Sequence, residues 1–293
     1  MTWLALVNPS SGRARDLESR ARQALDSAGI DAEIEVSTSP VHLQELVDRG
    51  IASGVRDFIA VGGDGTTNLV VDQMMRHPWE EPPRLAILPS GSGSDFIRTF
   101  GLPHDLDAVA KRVATESPYL VDVGLLEWSG GDRYFLNVAD IGIAAATVPL
   151  AERLPRRLGG LRYMAAFWMT LPRFRRAKIL LVVGKRSFEG TALNVVVANG
   201  QFFGGGINVA PKAMLNDGAF DIQVFAVPKR RAFDLMPRVM RGTHLRHSGV
   251  KRFVGGAFSL ETVPGWPVEA DGEYVGTTPI TGRIVRGALE VMI

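Results

Sequence analysis

The chain has no cysteine in 293 residues. That excludes disulfides, thiolate zinc sites and cysteine nucleophiles, and it fits a reducing compartment. Net charge is also scarce: 33 Lys and Arg against 31 Asp and Glu leave +2, too small a surplus to argue for nucleic acid. The five histidines are scattered. Only His244 and His247 could share a helix face, where a solvated basic surface is the expectation, and no zinc constellation arises. No apolar run approaches the roughly 18 to 20 residues of a spanning helix. The opening MTWLALVNPSSG has one short apolar stretch and no basic leader, so a signal peptide is not expected. A Walker A pattern is missing, and LPSGSGSDF lacks the third glycine of a dinucleotide loop. There is no internal repeat or low-complexity segment. These absences leave a globular protein, expected in the cytoplasm, with any membrane contact peripheral at the inner face.

What is present begins with an alternation. TWLALV, AEIEVS, DFIAV and RLAIL read as buried strands. Between them, apolar residues recur at helical spacing, as in Leu17, Ala21, Leu25 and Ala28, or Leu43, Leu46, Val47 and Ile51. Strand, crossover helix, strand at this pace predicts an α/β domain with a mostly parallel sheet over residues 1–120. From about Tyr119 the texture becomes short β-rich runs with glycine turns, such as RYFLNVADIGI, AKILLVVG and FDIQVFAV. Residues 121–280 are therefore expected to form a mainly antiparallel domain, with helices near 144–172 and 229–242.

Ligands of open α/β sheets gather beyond the carboxyl ends of the strands. NPSSG, VGGDGTTN and LPSGSGSDF all lie at such ends. A glycine-rich loop leading into a helix offers backbone N–H groups to an anion. Asp64, at the centre of GGDGTTN, would repel a bare phosphate. A divalent cation between them removes the conflict, so a nucleotide triphosphate with magnesium is the natural occupant. A tight surface turn with a solvated aspartate is the plainer reading. NPSSG is ordinary turn chemistry when taken alone, and PVEADGEYVG reads equally as an acidic β-turn. Two stretches, 153–178 and 229–253, interleave arginines and lysines with Leu, Phe, Trp and Met. They suit an anionic membrane surface, where each basic residue contributes about 1 kcal/mol. They also suit ordinary helices with solvated arginine faces.

Taken in order, NPSSG, GGDGTTN, LPSGSGSDFIRTFGLP, VDVG, NDGAFDI and DGE resemble the lipid kinases of the diacylglycerol and sphingosine kinase type, in their compact bacterial form. GGDGT by itself is shared with NAD kinases and a related phosphofructokinase fold; the later motifs separate the lipid kinases. The resemblance runs from about residue 4 to the C-terminus. It implies a nucleotide domain, a C-terminal β-sandwich, an active-site cleft between them, and a last segment (about 281–293) that returns to the first domain. It implies ATP and magnesium, a lipid substrate and an anionic membrane surface, with a homodimer as a further partner and no nucleic acid. Residue by residue, it places Asn8, Pro9, Ser10, Ser11, Gly12 and Thr38 against ATP. Gly62, Gly63, Asp64, Gly65, Thr66, Thr67 and Asn68 form the phosphate loop, and Ser92 stands where the family has a nucleotide-contacting threonine. Asp64 sits beside the triphosphate and its metal. Asp95 and Asp122 match acids of the substrate side and the metal network, and Glu273 matches the general base. Asp217, with backbone oxygens of Met214 and Ala219, matches a structural magnesium site, although a plain hairpin turn accounts for that stretch equally. One departure stands out: the usual GTxND reads GSGSD, so Ser94 replaces an asparagine. The resemblance leaves an NAD-kinase-like soluble kinase and a non-catalytic nucleotide-binding membrane protein as rivals.

Overall fold

The computed structural model describes residues 2–10, 16–90, 95–115, 117–158 and 161–293. The chain divides into two compact units, residues 1–123 with 286–293, and residues 124–285.

The first unit is built on strands β1 (Trp3–Val7), β2 (Ala32–Val36), β3 (Asp57–Gly62) and β4 (Arg84–Pro89). They lie in the order β2-β1-β3-β4, every pair parallel. Between them run α1 (Leu17–Ser27), α2 (Pro40–Ala52) and α3 (Asp64–Met75), followed by a short α4 (Asp95–Arg98) and α5 (Leu106–Thr115). Leu17, Ala21 and Leu25 of α1 meet Leu106, Val109, Ala110 and Val113 of α5 over Val7, Ile59 and Leu88 of the sheet. The i, i+4 spacing is what puts those side chains on one stripe. Ser39 caps α2 by accepting the His42 N–H at 3.0 Å, and Pro40 fills the first helical position, where no N–H is needed. β3 is buried along all six residues, as expected for a strand covered on both faces.

Strand β5 (Pro118–Trp128) carries the chain out of this unit. The second unit adds β6 (Gly131–Phe135), β7 (Val138–Gly142), α6 (Ile143–Arg153), α7 (Leu161–Thr170), β8 (Ala177–Val183), β9 (Arg186–Ala192) and β10 (Asn194–Ala198). A small hairpin, β11 (Phe202–Phe203) with β12 (Ile207–Asn208), precedes β13 (Phe220–Phe225) and α8 (Ala232–Met240). Then come β14 (Val250–Gly255), β15 (Ala257–Val263), β16 (Pro267–Ala270), β17 (Glu273–Thr277) and β18 (Ile280–Met292). One antiparallel sheet runs β14-β13-β10-β7-β16-β17. A second contains β9, β8, β15 and the start of β18, again antiparallel. Their inner faces share a core in which Ile179, Leu181 and Leu260 meet Val195, Val197 and Ile222. This is a β-sandwich. On the other face of the first sheet, Val196 and Phe225 pack with Ile143 of α6 and Leu235 of α8. Covered on both sides, β10 is buried at all five positions. The end of β18 belongs to the first unit, where Glu290–Met292 pairs in parallel with Arg84–Ala86.

One expectation fails here. His244 is not a solvated basic residue: it is fully buried, its Nε2 lies 2.8 Å from Gln223 Oε1, and its ring stacks on Phe225. Burial pushes its pKa down. The short spacing to His247 reflects a single 3₁₀ turn at His244–Arg246 that points one ring inward.

Candidate active site

In the first unit, the residues after β1, β2, β3 and β4 all lie at the carboxyl edge of one parallel sheet, because neighbouring strands run in the same direction. Hydrogen bonds tie several of them together. Asn8 Nδ2 donates to Thr66 Oγ1 at 3.0 Å, and Asn8 Oδ1 accepts the Ser10 N–H at 3.0 Å. The Ser90 N–H bonds Gly62 O at 2.9 Å. Asp64 Oδ1 accepts the Asp95 N–H at 2.9 Å, joining the first turns of α3 and α4. Thr38 is exposed beyond β2, with its N–H and hydroxyl 3.1 and 3.0 Å from His42 Nδ1. Pro9 lies beside Asn8, and Thr67 and Asn68 are buried in the first turns of α3. Ser11, Gly12, Ser92 and Ser94 lie outside the described residues.

The three glycines of the loop are not equivalent. A Cβ on Gly62 would collide with the Thr66 side chain, so the fold itself demands glycine there. Gly63 and Gly65 have no such reason. Gly63 has φ −100°, an ordinary value, and a Cβ on either residue would meet nothing within 4 Å. Glycine in a helical turn costs up to about 1 kcal/mol against alanine. The two positions therefore keep open the space above the start of a twelve-residue helix, where backbone N–H groups lack intrahelical acceptors and the dipole favours anions. Asp122 is elsewhere occupied: buried on β5, it accepts the Gly287 N–H at 2.8 Å and anchors the returning tail.

In the second unit, the DGE turn is locked from inside. Asp271 sits at φ +49°, and its carboxylate accepts the N–H groups of Leu136, Asn137 and Val138 at 2.7, 3.0 and 2.9 Å. Burial pushes Asp271 up to about 6, against the pull of those three bonds and of Arg133. Glu269 Oε2 accepts the Gly272 N–H at 2.7 Å. The turn thus holds Glu273 outward, 42% exposed, with Arg133 Nη2 at 2.7 Å from its Oε2. Asp217 Oδ1 accepts the Ala219 N–H at 3.1 Å, an Asx turn in the loop between β12 and β13, which do not pair and so form no hairpin, and the Met214 side chain is exposed. Among the described residues, no group of three or more His, Cys, Asp or Glu is disposed to hold a metal.

Two features escaped sequence reasoning. A cavity of about 160 Å³ lies under α6, α7 and α8, walled by side chains such as Val148, Phe167, Val196, Leu235 and Val239. Its ionisable carboxyl is Asp140, fully buried on β7 and hydrogen-bonded to Asn194 Nδ2 at 2.6 Å. Burial pushes Asp140 up to about 7, and burial together with the facing Asp140 carboxyl pushes Glu269 well above the usual glutamate range. The one available signal was an acid inside an otherwise apolar strand, in VADIG and again in PVEA.

Two family profiles divide the chain between them. The diacylglycerol kinase catalytic domain matches residues 2–126, and the YegS C-terminal NAD kinase beta sandwich-like domain matches residues 137–293. The chain belongs to the diacylglycerol kinase family of lipid kinases. Among curated proteins, this kinase is 26% identical to the diacylglycerol kinase of Bacillus subtilis strain 168, over 94% of its own length and 90% of the relative's. It is 29% identical to "Probable lipid kinase YegS-like" of Xanthomonas euvesicatoria, over 76% and 72%. A crystal structure of a diacylglycerol kinase from Bacillus anthracis superposes with a TM-score of 0.74 at 22% identity, covering 99% of the kinase and 96% of that chain. That likeness bears on the fold.

Proposed function

We propose that the kinase transfers the γ-phosphoryl group of ATP, with magnesium, to a hydroxyl of a lipid such as diacylglycerol. Asn8, Pro9, Ser10, Thr38 and the Gly62–Asn68 loop hold the nucleotide, with the backbone at Gly63 and Gly65 left bare for its phosphates. The fit rests on those two glycines, whose absent side chains leave open space. Bound ATP supplies the phosphoryl group, and its magnesium offsets the charge that moves with it. A cation here shares its ligands with phosphate oxygens rather than an all-protein cage. Asp64 and Asp95 are its carboxylates, and Asp122 is a network member with a structural task of its own. Glu273 accepts the proton of the lipid hydroxyl, held outward by the locked turn and steadied by Arg133. At Asp217, the Asx turn supports a plain loop turn over a structural metal.

The cavity is the observation that carries this reading, since a water-soluble acceptor has no use for a buried apolar space. The same helices favour delivery from a bilayer. Tyr163 and Phe167 of α7 and Leu235 of α8 line the cavity, while Leu161, Met169 and Phe233 on these helices are 70, 51 and 67% exposed. Trp168 stacks on Phe233 at 4.5 Å, and Arg173, Arg230 and Arg231 are exposed nearby in sequence. Apolar side chains left in water beside arginines fit a headgroup layer better than a solvated helix face.

The test uses labelled ATP with diacylglycerol in anionic vesicles, and NAD in parallel, with and without magnesium. Magnesium-dependent label in the lipid is expected. Label in NAD, or in neither, overturns the proposal. Vesicle sedimentation that loses the kinase at high salt supports peripheral docking; no salt-sensitive binding removes it.

A further inference from the structure

We propose that Asp140, on the cavity wall, and Glu269, its cross-strand partner behind it, together select the lipid: they favour an occupant whose polar group donates hydrogen bonds. An ammonium suits them most, a hydroxyl next, and a group that only accepts is disfavoured. The proposal deepens the lipid reading and rests on it.

The argument starts from register. Glu269 and Asp140 are paired residues of adjacent antiparallel strands, and both are buried at the level of bulk core. Donors around them are few. Asn194 is oriented by the Ala144 N–H, which its Oδ1 accepts at 3.0 Å, so its amide donates to Asp140 Oδ1. Glu269 Oε2 takes the Gly272 N–H, while Oε1 finds no N–H or O–H with hydrogen-bond geometry. Of the four carboxyl oxygens, Asp140 Oδ1 and Glu269 Oε2 have these donors and Glu269 Oε1 has none, and a proton shared between the facing acids is what remains to satisfy it.

Charge tells the same story. Two acids sharing one proton carry one negative charge, and an uncompensated buried charge is costly. Among the described residues, none that lines the cavity is basic. Arg133, on the neighbouring β6, is committed to Glu273 and Asp271. Asp140 opens on the cavity, so an occupant can supply both the missing donor and the missing positive charge. An ester or ether oxygen at that point would add a fifth acceptor and no donor.

Direct binding of short single-chain probes tests this without any phosphoryl transfer. The cavity is close in size to the ~150 Å³ cavity that holds benzene in another protein, so octyl chains are suitable. Calorimetry at pH 7 compares octylamine, 1-octanol and octyl methyl ether on the wild type, Asp140→Asn and Glu269→Gln. We expect octylamine to bind at least tenfold tighter than the ether, with octanol between them. Asp140→Asn should shrink that ratio to within threefold while retaining ether binding. Ala144→Phe, which fills the cavity, should abolish all three. Equal affinities in the wild type, or an order that survives both acid variants, overturn the selectivity and leave the cavity as a chain site. No binding of any probe removes the chain site and this proposal with it. Glu269→Gln serves if Asp140→Asn does not fold.

Discussion

In the first unit the candidate phosphate site is made of backbone. Gly63 and Gly65 contribute nothing beyond Cα, the start of α3 contributes N–H groups, and Asp64 is one carboxylate bonded to the Asp95 N–H. In the second unit the polar groups are side chains that strand register has carried into the core: Asp140 against Glu269, with Asn194 and Asp271 beside them. A backbone site stays solvated until its ligand arrives, so its cost to the fold is small. A side-chain site in the core is expensive from the moment the chain folds, and its acids must hold protons or hydrogen bonds rather than full charges. Charge at a loop can be permanent, whereas charge in a sandwich has to be conditional.

Glu273 bridges the two kinds of site, because its turn is fixed by buried acids while its own carboxylate reaches outward. Removing it gives the largest effect. Glu273→Gln should lower kcat by about 10²- to 10⁴-fold, the usual worth of a general base, with ATP affinity unchanged. Steady-state kinetics beside nucleotide titration checks both halves, and near-normal kcat would falsify the assignment.

That division also governs what could be read from sequence. GGDGTTN is local: a strand end, three glycines and a helix start occupy seven consecutive positions, and their physics is complete within them. Asn8–Ser10 and Ser90 were legible for the same reason, as the residues that follow strands of a parallel sheet. Asp140 and Glu269 are 129 positions apart by number and meet only through the pairing of β7 with β16. Nothing local distinguishes Asp140 from a loop aspartate except the apolar residues around it. Asp271 was visible as part of an acidic turn, yet its three backbone bonds to residues 136–138 were not. The alternation of strands and helices gave the fold class because periodicity is local. His244 was misjudged because a basic residue in an arginine-rich stretch looks solvated until Gln223 is placed beside it.

Gly65→Ala sharpens the contrast, since its two effects should have opposite signs. Alanine in the first turn of α3 meets no atom within 4 Å and should stabilise the fold by about 0.5–1 kcal/mol. The added methyl intrudes on the space proposed for phosphate, so nucleotide affinity should drop tenfold or more. Denaturant titration and nucleotide binding measure the two; unchanged affinity means that the phosphates lie elsewhere.

Asp271→Asn probes the locked turn. An amide keeps one acceptor oxygen and turns an NH₂ toward backbone donors, which should cost about 1–3 kcal/mol of stability. Because Glu273 follows two residues later, kcat should fall while nucleotide affinity holds. A variant as stable and active as the wild type removes the lock from the account.

The smallest effect is one of slope. Asp140 and Asp271 have folded pKa values raised by burial, to about 7 and about 6 from 3.8, and Glu269 is raised as well. From about pH 4 up to about 6 for Asp271 and about 7 for Asp140, the unfolded chain has released these protons and the folded chain still holds them. Folding then takes up protons, so these groups make stability fall as pH rises through that window and level off above it. His244 works the other way: its folded pKa is lowered from 6.5, so its contribution is lost as pH falls below that value. The two trends partly cancel in the wild type, and a simple Tm profile hides them. Asp140→Asn removes one titrating acid and leaves His244 in place, so the variant should gain Tm relative to wild type steadily from pH 5 to pH 7.5. A constant difference across that range would mean that Asp140 does not hold its proton in the folded sandwich, and the conditional charge at the end of the cavity would lose its physical basis.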